Sequence, residues 1–229
     1  MKVLVILFIV VALSKQQSQC DSSDVSSDRS SDSRDSHEHH HHHQNRPKSS
    51  PPKCPTGWLM FERISGKWCV QVFEGIFNRN EAQAKCQRIG ATLSGMENAH
   101  EKHLIHKKGM EILKKQNIAY SAMWLGLIRK KDCRGEANRN KEACQRSRAY
   151  YWNDGSTHST DMIIWNRWYS DNRGVDQDCA YMLVSASGKP HPNGAHPGNF
   201  HDIPCDSSKT QNNNFFEYTR AYACGMKPR

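Results

Sequence analysis

The sequence predicts a disulfide-stapled α+β domain that follows an apolar leader and a polar tail. Helix-start signals at Asn78 and Ser94 follow two short strand-like runs, and strand-like runs dominate after residue 123. Eight of the nine cysteines lie between Cys54 and Cys224. Because the leader indicates export to an oxidising compartment, we interpret these cysteines as a disulfide framework.

The first 53 residues divide into a predicted signal peptide, residues 1–20, and a predicted disordered tail, residues 21–53. Residues 3–13 form an unbroken apolar run that is too short to span a bilayer and is typical of a secretory signal. The tail consists mostly of Ser, Asp, His, Arg, Pro and Lys, so it has little apolar surface to offset the entropy of ordering. We therefore expect a secreted, extracellular protein whose single folded domain spans residues 54–229.

Cys20 makes the number of cysteines odd. Cleavage after Cys20 leaves eight cysteines, whereas cleavage after Ser14 leaves Cys20 in the tail as a thiol available to a second molecule. Small residues precede both positions, so both cleavage sites stay open, and we favour the first.

Positive charge is concentrated in the predicted domain. From residue 54 onward, 25 Lys and Arg face 17 Asp and Glu, which gives +8 of the chain's net +9. This excess favours contact with anionic surfaces such as acidic polysaccharide or bacterial envelope, and it equally fits a soluble domain with a basic face. No nucleic-acid partner is expected for an exported chain, and no later apolar run is long enough for a membrane span.

Two helices are predicted in the first half of the domain. Asn78 is followed three residues later by Glu81, as in a capping box, and Gly90 lies where a C-terminal cap belongs. Ser94 and Glu97 repeat the start signal for a second helix, which is predicted to end near Gly109.

Apolar runs predict the strands. A hairpin is expected from residues 58–61 and 68–73, and further strands from residues 123–128, 149–152, 179–184 and 218–224. The segment between Trp152 and Cys205 is rich in Gly, Asn, Asp, His and Pro, and a loop of this length in a small domain is usually functional.

Several motifs occur together in a fixed order. They are Cys54-Pro55-x-Gly57-Trp58, Gly90-Ala91-Thr92-Leu93, Trp124-Leu125-Gly126-Leu127, Trp152-x-Asp154-Gly155-Ser156, Trp165, Asp178-Cys179, Asp202-x-x-Cys205 and Ala223-Cys224. Across residues 54–224 the chain therefore resembles the long form of the C-type lectin-like domain. The resemblance implies two helices packed on antiparallel sheets, a long ligand-facing loop region, and recognition of glycans or microbial surfaces, as in secreted invertebrate defence lectins.

The resemblance also implies a disulfide pairing, which eight cysteines alone do not determine. The implied pairs are Cys54–Cys69, Cys86–Cys224 and Cys179–Cys205, with Cys133–Cys144 around a charged insertion.

Sugar-binding members of this family hold the sugar through a Ca²⁺ ion, which needs six to eight oxygen ligands. Their ligands come from a Glu-Pro-Asn or Gln-Pro-Asp motif, from the Glu of a later Glu-Asp sequence, and from an Asn-Asp pair. The corresponding positions here read Tyr169-Ser170-Asp171, Gln177-Asp178 and His201-Asp202. We therefore predict a degenerate calcium site in which Asp171 and Asp202 are weak candidate ligands.

The same loop region supplies the candidate ligand-binding residues. They are Tyr169, Asp171, Asn172, Gln177, Asp178, His201 and Asp202. These residues build either a shifted site or an ordinary solvated loop, and Trp165 and Trp168 are either scaffold or stacking partners for a sugar ring.

A histidine cluster in the tail is a candidate site for a transition metal, since neutral imidazoles bind Zn²⁺, Cu²⁺ and Ni²⁺. Its members are His37, His39, His40, His41, His42 and His43. The alternative is a low-complexity polar tail with no dedicated role.

Enzymatic activity is not expected. The sequence contains neither a Gly-x-Ser-x-Gly elbow nor a His-Glu-x-x-His helix, and cysteines in disulfides are not nucleophiles. We interpret His100, His103 and His106 as the solvent face of the second helix. The prediction is a recognition protein, with a calcium-independent module that binds protein ligands or anionic surfaces as the alternative and a His-tail metal binder as a third possibility.

Overall fold

The computed structural model describes residues 51–138, 140–166, 177–206 and 219–229, which form two α-helices and eight strands. The elements are β1 (Leu59–Arg63), β2 (Gly66–Glu74), α1 (Arg79–Arg88), β3 (Thr92–Leu93), α2 (Ala99–Lys115), β4 (Tyr120–Arg129), β5 (Tyr150–Trp152), β6 (Cys179–Ser185), β7 (Phe200–Ile203) and β8 (Thr219–Met226). Within these ranges, neither helix is both long enough and apolar enough to cross a membrane. The predicted signal peptide, Cys20 and most of the predicted tail lie outside the described residues.

The strands form one sheet in the order β1-β2-β8-β4-β6-β7, with β3 paired to β8 and β5 paired to β4. Every strand pair in the described sheet is antiparallel except β4 with β8, which is parallel. The prediction of antiparallel sheets is therefore wrong for that one pair. Its two strands are far apart in the chain, so a long crossover connects them, as parallel pairing requires.

The two helices cover opposite faces of the sheet. Alternate side chains of β4 and β6 enter two different hydrophobic clusters, one containing Ile105 of α2 and the other Ala82 of α1. On β4, Met123, Leu125 and Leu127 belong to the first cluster and Ala122 and Trp124 to the second. Because both faces are covered, β4 reads as a continuous apolar run rather than an alternating one.

Helix α1 begins as its sequence predicts. The Asn78 side chain accepts a hydrogen bond from the Glu81 backbone N–H at 2.8 Å, and the Glu81 carboxylate accepts one from the Asn78 N–H at 3.0 Å. The predicted capping box is thus confirmed. Gly90 follows the C-cap residue Ile89 with φ +70°, a left-handed conformation that favours glycine.

Helix α2 differs from its prediction at both ends. It begins after Asn98, whose side chain caps Glu101, because the Ser94 hydroxyl is already bound to the Trp68 indole N–H at 3.0 Å. It also continues past Gly109 to Lys115. A Cβ atom at Gly109 would lie 3.3 Å from both Cγ atoms of Val184, so this glycine allows the helix to lie close to β6.

The histidines of α2 do not share one environment. His100 and His103 are exposed, as predicted, whereas His106 is half-buried and therefore does not lie on a solvent face. Burial lowers the pKa of the His106 imidazole, so the ring is neutral at neutral pH.

The predicted strands correspond to β1, β2, β4, β5, β6 and β8, with bounds that differ by at most three residues. Strands β3 and β7 were not predicted. β7 lies inside the Gly- and Pro-rich segment that we interpreted as loop, and it pairs with residues 179–182 of β6. The strand is only four residues long, and two of its residues are His201 and Asp202, so it has no apolar run that stands out in that segment.

The four disulfides join the pairs that the resemblance implies, with Cα–Cα distances of 5.0–5.5 Å. Cys86–Cys224 ties α1 to β8 across a sequence separation of 138, and closing such a loop contributes about 5 kcal/mol in the chain-entropy model. The backbone of Lys53 also exchanges two hydrogen bonds with Arg229, at 2.9 and 3.1 Å. Lys53, which falls in the segment predicted as tail, is therefore hydrogen-bonded to the C-terminal end of the domain.

A buried ionic cluster joins β1, α2 and the turn after β5. The Arg63 guanidinium contacts both Glu101 carboxylate oxygens at 2.6 and 3.0 Å and the Asp154 carboxylate at 3.3 Å. The side chains of all three are at most 1% exposed. A buried arginine without these carboxylates would be costly, so the cluster fixes how the three segments meet.

Asp154 should make stability depend on pH. Burial by itself would raise the pKa of Asp154, but hydrogen bonds from Gly95, Ser156 and Thr157 hold that pKa below its ordinary value of 3.8. The ionised carboxylate therefore stabilises the fold at neutral pH, and this contribution is lost as the pH falls below 3.8 towards the folded-state pKa. We expect Asp154→Asn to lower the free energy of unfolding, measured with urea, more at neutral pH than in strong acid. A deficit that stays constant across this pH range would contradict the expectation.

Candidate functional site

Three of the predicted site residues lie together where β4, β6 and β7 meet. Gln177 and Asp178 precede β6, and Asp202 lies on β7 opposite Ala180. Because Ile128 of β4 pairs with Cys179, the next residue, Arg129, reaches the same place.

Arg129 forms the centre of this group. Its guanidinium lies 3.3 Å from Oδ2 of Asp202 and 3.7 Å from Oδ1 of Asp178, and it donates a hydrogen bond to the Gln177 carbonyl at 3.2 Å. The side chains of Arg129 and Asp202 are 3% and 1% exposed. Arg134, which is 43% exposed, binds the other oxygen of Asp178 at 3.3 Å.

Tyr150 completes the polar environment of Arg129. Its hydroxyl accepts a hydrogen bond from the guanidinium and lies 3.4 Å from the Asp202 carboxylate, and its ring centroid is 4.6 Å from the guanidinium carbon. Burial, together with the charge of Asp202, raises the pKa of Tyr150, so the hydroxyl stays protonated. We call Arg129, Tyr150, Asp178 and Asp202 the Arg129 cluster.

His201 points away from the Arg129 cluster. Successive side chains of a strand lie on opposite faces, so His201 and its neighbour Asp202 face opposite sides of β7. The His201 ring lies against Tyr181, with Nδ1 3.0 Å from the tyrosine hydroxyl. The structure therefore does not bring the two members of the predicted His201-Asp202 pair to one site.

The remaining candidates fall into two groups. Tyr169, Asp171, Asn172 and Trp168, and the histidines of the tail cluster, lie outside the described residues, so their predicted roles stay predictions. Trp165 is described and is partly buried against Tyr150 and Phe200, with ring centroids 4.8 and 6.3 Å apart. It serves as scaffold behind the Arg129 cluster.

The described residues do not fit a calcium ion at the positions that the resemblance implies. Asp202 and Asp178 already contact a cation, the Arg129 guanidinium, and an ion on the same carboxylates would be repelled by it. Within residues 51–138, 140–166, 177–206 and 219–229, no group of three or more His, Cys, Asp or Glu side chains is arranged to hold a metal.

Arg129, Tyr150 and Arg134 were not among the predicted site residues. A signal for Arg129 was present, because it is the one charged residue in the ten-residue strand Tyr120–Arg129. A charge at the end of a largely buried strand needs a partner of opposite charge, and acidic residues beside later cysteines were available.

These observations define a C-type lectin-like domain, with two helices, a mixed sheet and four disulfides. Residues 60–227 match the sequence model for C-type lectin domain-containing protein 141/158. The chain therefore belongs to this C-type lectin family. C-type lectin domain-containing protein 158 of Caenorhabditis elegans is 24% identical over 150 residues, which are 58% of this chain and 71% of that protein.

Solved structures with a similar fold share little sequence with this chain. The C-type carbohydrate-recognition domain of cow CD23, solved in the presence of a GlcNAc2Man3 oligosaccharide, is 17% identical with a TM-score of 0.48, and the match covers 78% of this chain and 99% of that one. Human lithostathine is 15% identical with a TM-score of 0.47, and its match covers 80% and 99% of the two chains.

We expect the two arginines at this site to differ in importance. Arg129→Met removes the cation from a buried carboxylate and should lower the free energy of unfolding by about 3–5 kcal/mol. Arg134→Met breaks an ion pair that is largely open to water and should cost at most about 1 kcal/mol. Urea unfolding of both variants measures the difference, and equal losses would show that Arg129 is not specially required.

Proposed function

We propose that this chain is a secreted recognition protein that binds carbohydrates or microbial surface components in innate defence, without calcium at the family's usual site. Membership of a C-type lectin family supports binding rather than catalysis. The apolar run at residues 3–13 supports secretion.

The position of Arg129 carries the calcium-independent part of the proposal. Its guanidinium compensates Asp202, the described carboxylate at a position that binds calcium in sugar-binding members of the family, together with the neighbouring Asp178. A guanidinium stays charged at every physiological pH, so these carboxylates need no ion for charge balance. Ligand binding then depends on hydrogen bonds, stacking and surface charge rather than on coordination to a metal.

Polar groups at the surface of this site are suited to contacts with sugar hydroxyls. Asp178 and Arg134 are 23% and 43% exposed, and Gln177 is half-buried, whereas His201 lies on the opposite face of β7 and is not part of this surface. The ligand-binding residues of this proposal are Asp178, Arg134 and Gln177. Tyr169, Asp171 and Asn172 join them on the evidence of the sequence alone, because they lie outside the described residues.

The alternative is a calcium-independent module that binds protein ligands or an anionic surface. The insertion beside Arg129 favours it, because residues 130–148 contain seven Lys and Arg against three Asp and Glu. Lys130, Lys131, Lys141 and Arg146 are all exposed. Binding to intact bacteria that is released by high salt, with no glycan bound, would favour this alternative.

A glycan array probed with the full chain, with calcium and with excess EDTA, tests the main proposal. We expect glycans to be bound equally under both conditions, because no resident ion connects the protein to the sugar. Binding that is lost in EDTA would contradict the calcium-independent mechanism while keeping the carbohydrate function. An array without any bound glycan would contradict the carbohydrate function itself.

Thermal unfolding gives a second measurement that needs no ligand. A ligand that binds the folded state raises the unfolding temperature by mass action. We expect the same unfolding midpoint in millimolar calcium and in EDTA. A rise in the midpoint with calcium would show that the folded protein binds calcium. The claim of calcium independence would then be wrong, and the recognition function would be unaffected.

A further inference from the structure

A groove with a volume of about 610 Å³ lies between α2 and the segment 186–198. His103, Lys107, Met110 and Lys114 of α2 form one wall, and Gly188 and Pro197 form the other. No member of the Arg129 cluster lines this groove, so it is a second candidate site.

The α2 wall is a single face of the helix. Its residues are spaced by four, three and four positions, which brings their side chains into one row. Lys107 and Lys114 are seven residues apart, or about 10 Å along the helix axis. The two ammonium groups are therefore placed along the groove rather than at one point.

The groove has an excess of positive charge that carboxylates of the described residues do not neutralise. Glu111 is the one carboxylate among the described residues that line it, and Lys108 already binds Glu111 at 2.8 Å. Lys107 and Lys114 are exposed and form no ion pair with any described carboxylate, whereas Lys115 on the same helix contacts Glu74 at 3.7 Å. The opposite wall adds no acid, since residues 186–199 contain a lysine and two histidines but neither Asp nor Glu.

The centre of the groove is apolar. Met110 is half-buried, and its Cε lies 3.5 Å from the place where a Cβ of Gly188 would be, so the thioether packs against the opposite wall. His106 also lines the groove, but its burial keeps it neutral at neutral pH, so the charge comes from the two lysines. An apolar side chain between separated cations matches a chain of sugar rings that carry acidic substituents.

We propose that this groove binds an anionic polysaccharide whose sulfate or carboxylate groups contact Lys107 and Lys114. A linear chain can follow the row of groups along the groove, where half-buried Met110 lies between the two lysines in sequence. The site goes beyond the proposed function, because it would act whether or not neutral glycans bind near Arg129.

Isothermal titration of the full chain tests the proposal with heparin as the sulfated probe, alginate as the carboxylated probe and dextran as the neutral one. We expect at least one of the two acidic polymers to bind and dextran not to bind. A comparison of heparin with alginate then shows whether the groove prefers sulfate or carboxylate groups. Lys107→Gln/Lys114→Gln should weaken binding about tenfold and make its salt dependence shallower, since fewer counterions are released. The control Lys67→Gln/Lys115→Gln removes two exposed lysines that already contact Glu62 and Glu74, and it should leave the affinity nearly unchanged.

A second variant is expected to bind more tightly rather than more weakly, so a general loss of folding could not produce its effect. Glu111→Gln removes the one carboxylate of the groove and should tighten binding about threefold. Glu142→Gln makes the same charge change at an exposed ion pair with Arg148 and should have a smaller effect. Equal effects of the two glutamate variants, or an unchanged affinity of Lys107→Gln/Lys114→Gln, would overturn the groove as the site. Binding of neither acidic polymer, or tighter binding to duplex DNA or anionic lipid vesicles, would overturn the polysaccharide as the ligand.

Discussion

Strand β8 is the element on which the rest of the sheet depends. It pairs with β2 along one edge and with β3 and β4 along the other, so it joins the N-terminal hairpin to the strands that carry the site. Cys224 on this strand is also bonded to Cys86 of α1. Each of these contacts joins segments that are far apart in sequence. Folding therefore has to close long loops before the central pairing forms, which makes such topologies slow to fold.

Two buried arginines act within this framework in the same physical way. Arg63 contacts Glu101 and Asp154, and Arg129 contacts Asp178 and Asp202, in each case across more than one segment of the chain. Desolvated charges contribute little net stability, but they penalise any arrangement that separates them. The arginines therefore select which segments meet, while the apolar clusters on both faces of the sheet supply most of the driving force.

Local signals predicted much of the fold, and contacts between distant segments explain the failures. The capping box at Asn78 needs only its own residues, so α1 was predicted correctly. The start of α2 was wrong because Trp68, 26 residues earlier, binds the Ser94 hydroxyl, and its end was wrong because Gly109 serves packing against Val184. At the site, the sequence showed that the usual calcium ligands were degraded. It did not show that an arginine from another strand lies beside Asp202, one of the two candidate ligands that remain.

The Arg129 guanidinium differs from a bound ion in one further respect. A metal at such a site is a separate molecule, and its occupancy follows the concentration of the ion in the surrounding fluid. The guanidinium is attached to the chain, so its effective concentration is set by the geometry of β4 and not by the medium. Dilution and chelation cannot remove it. A recognition surface supported in this way is permanently assembled, so the concentration of a metal ion cannot regulate it. Its occupancy then depends on the concentration of the ligand.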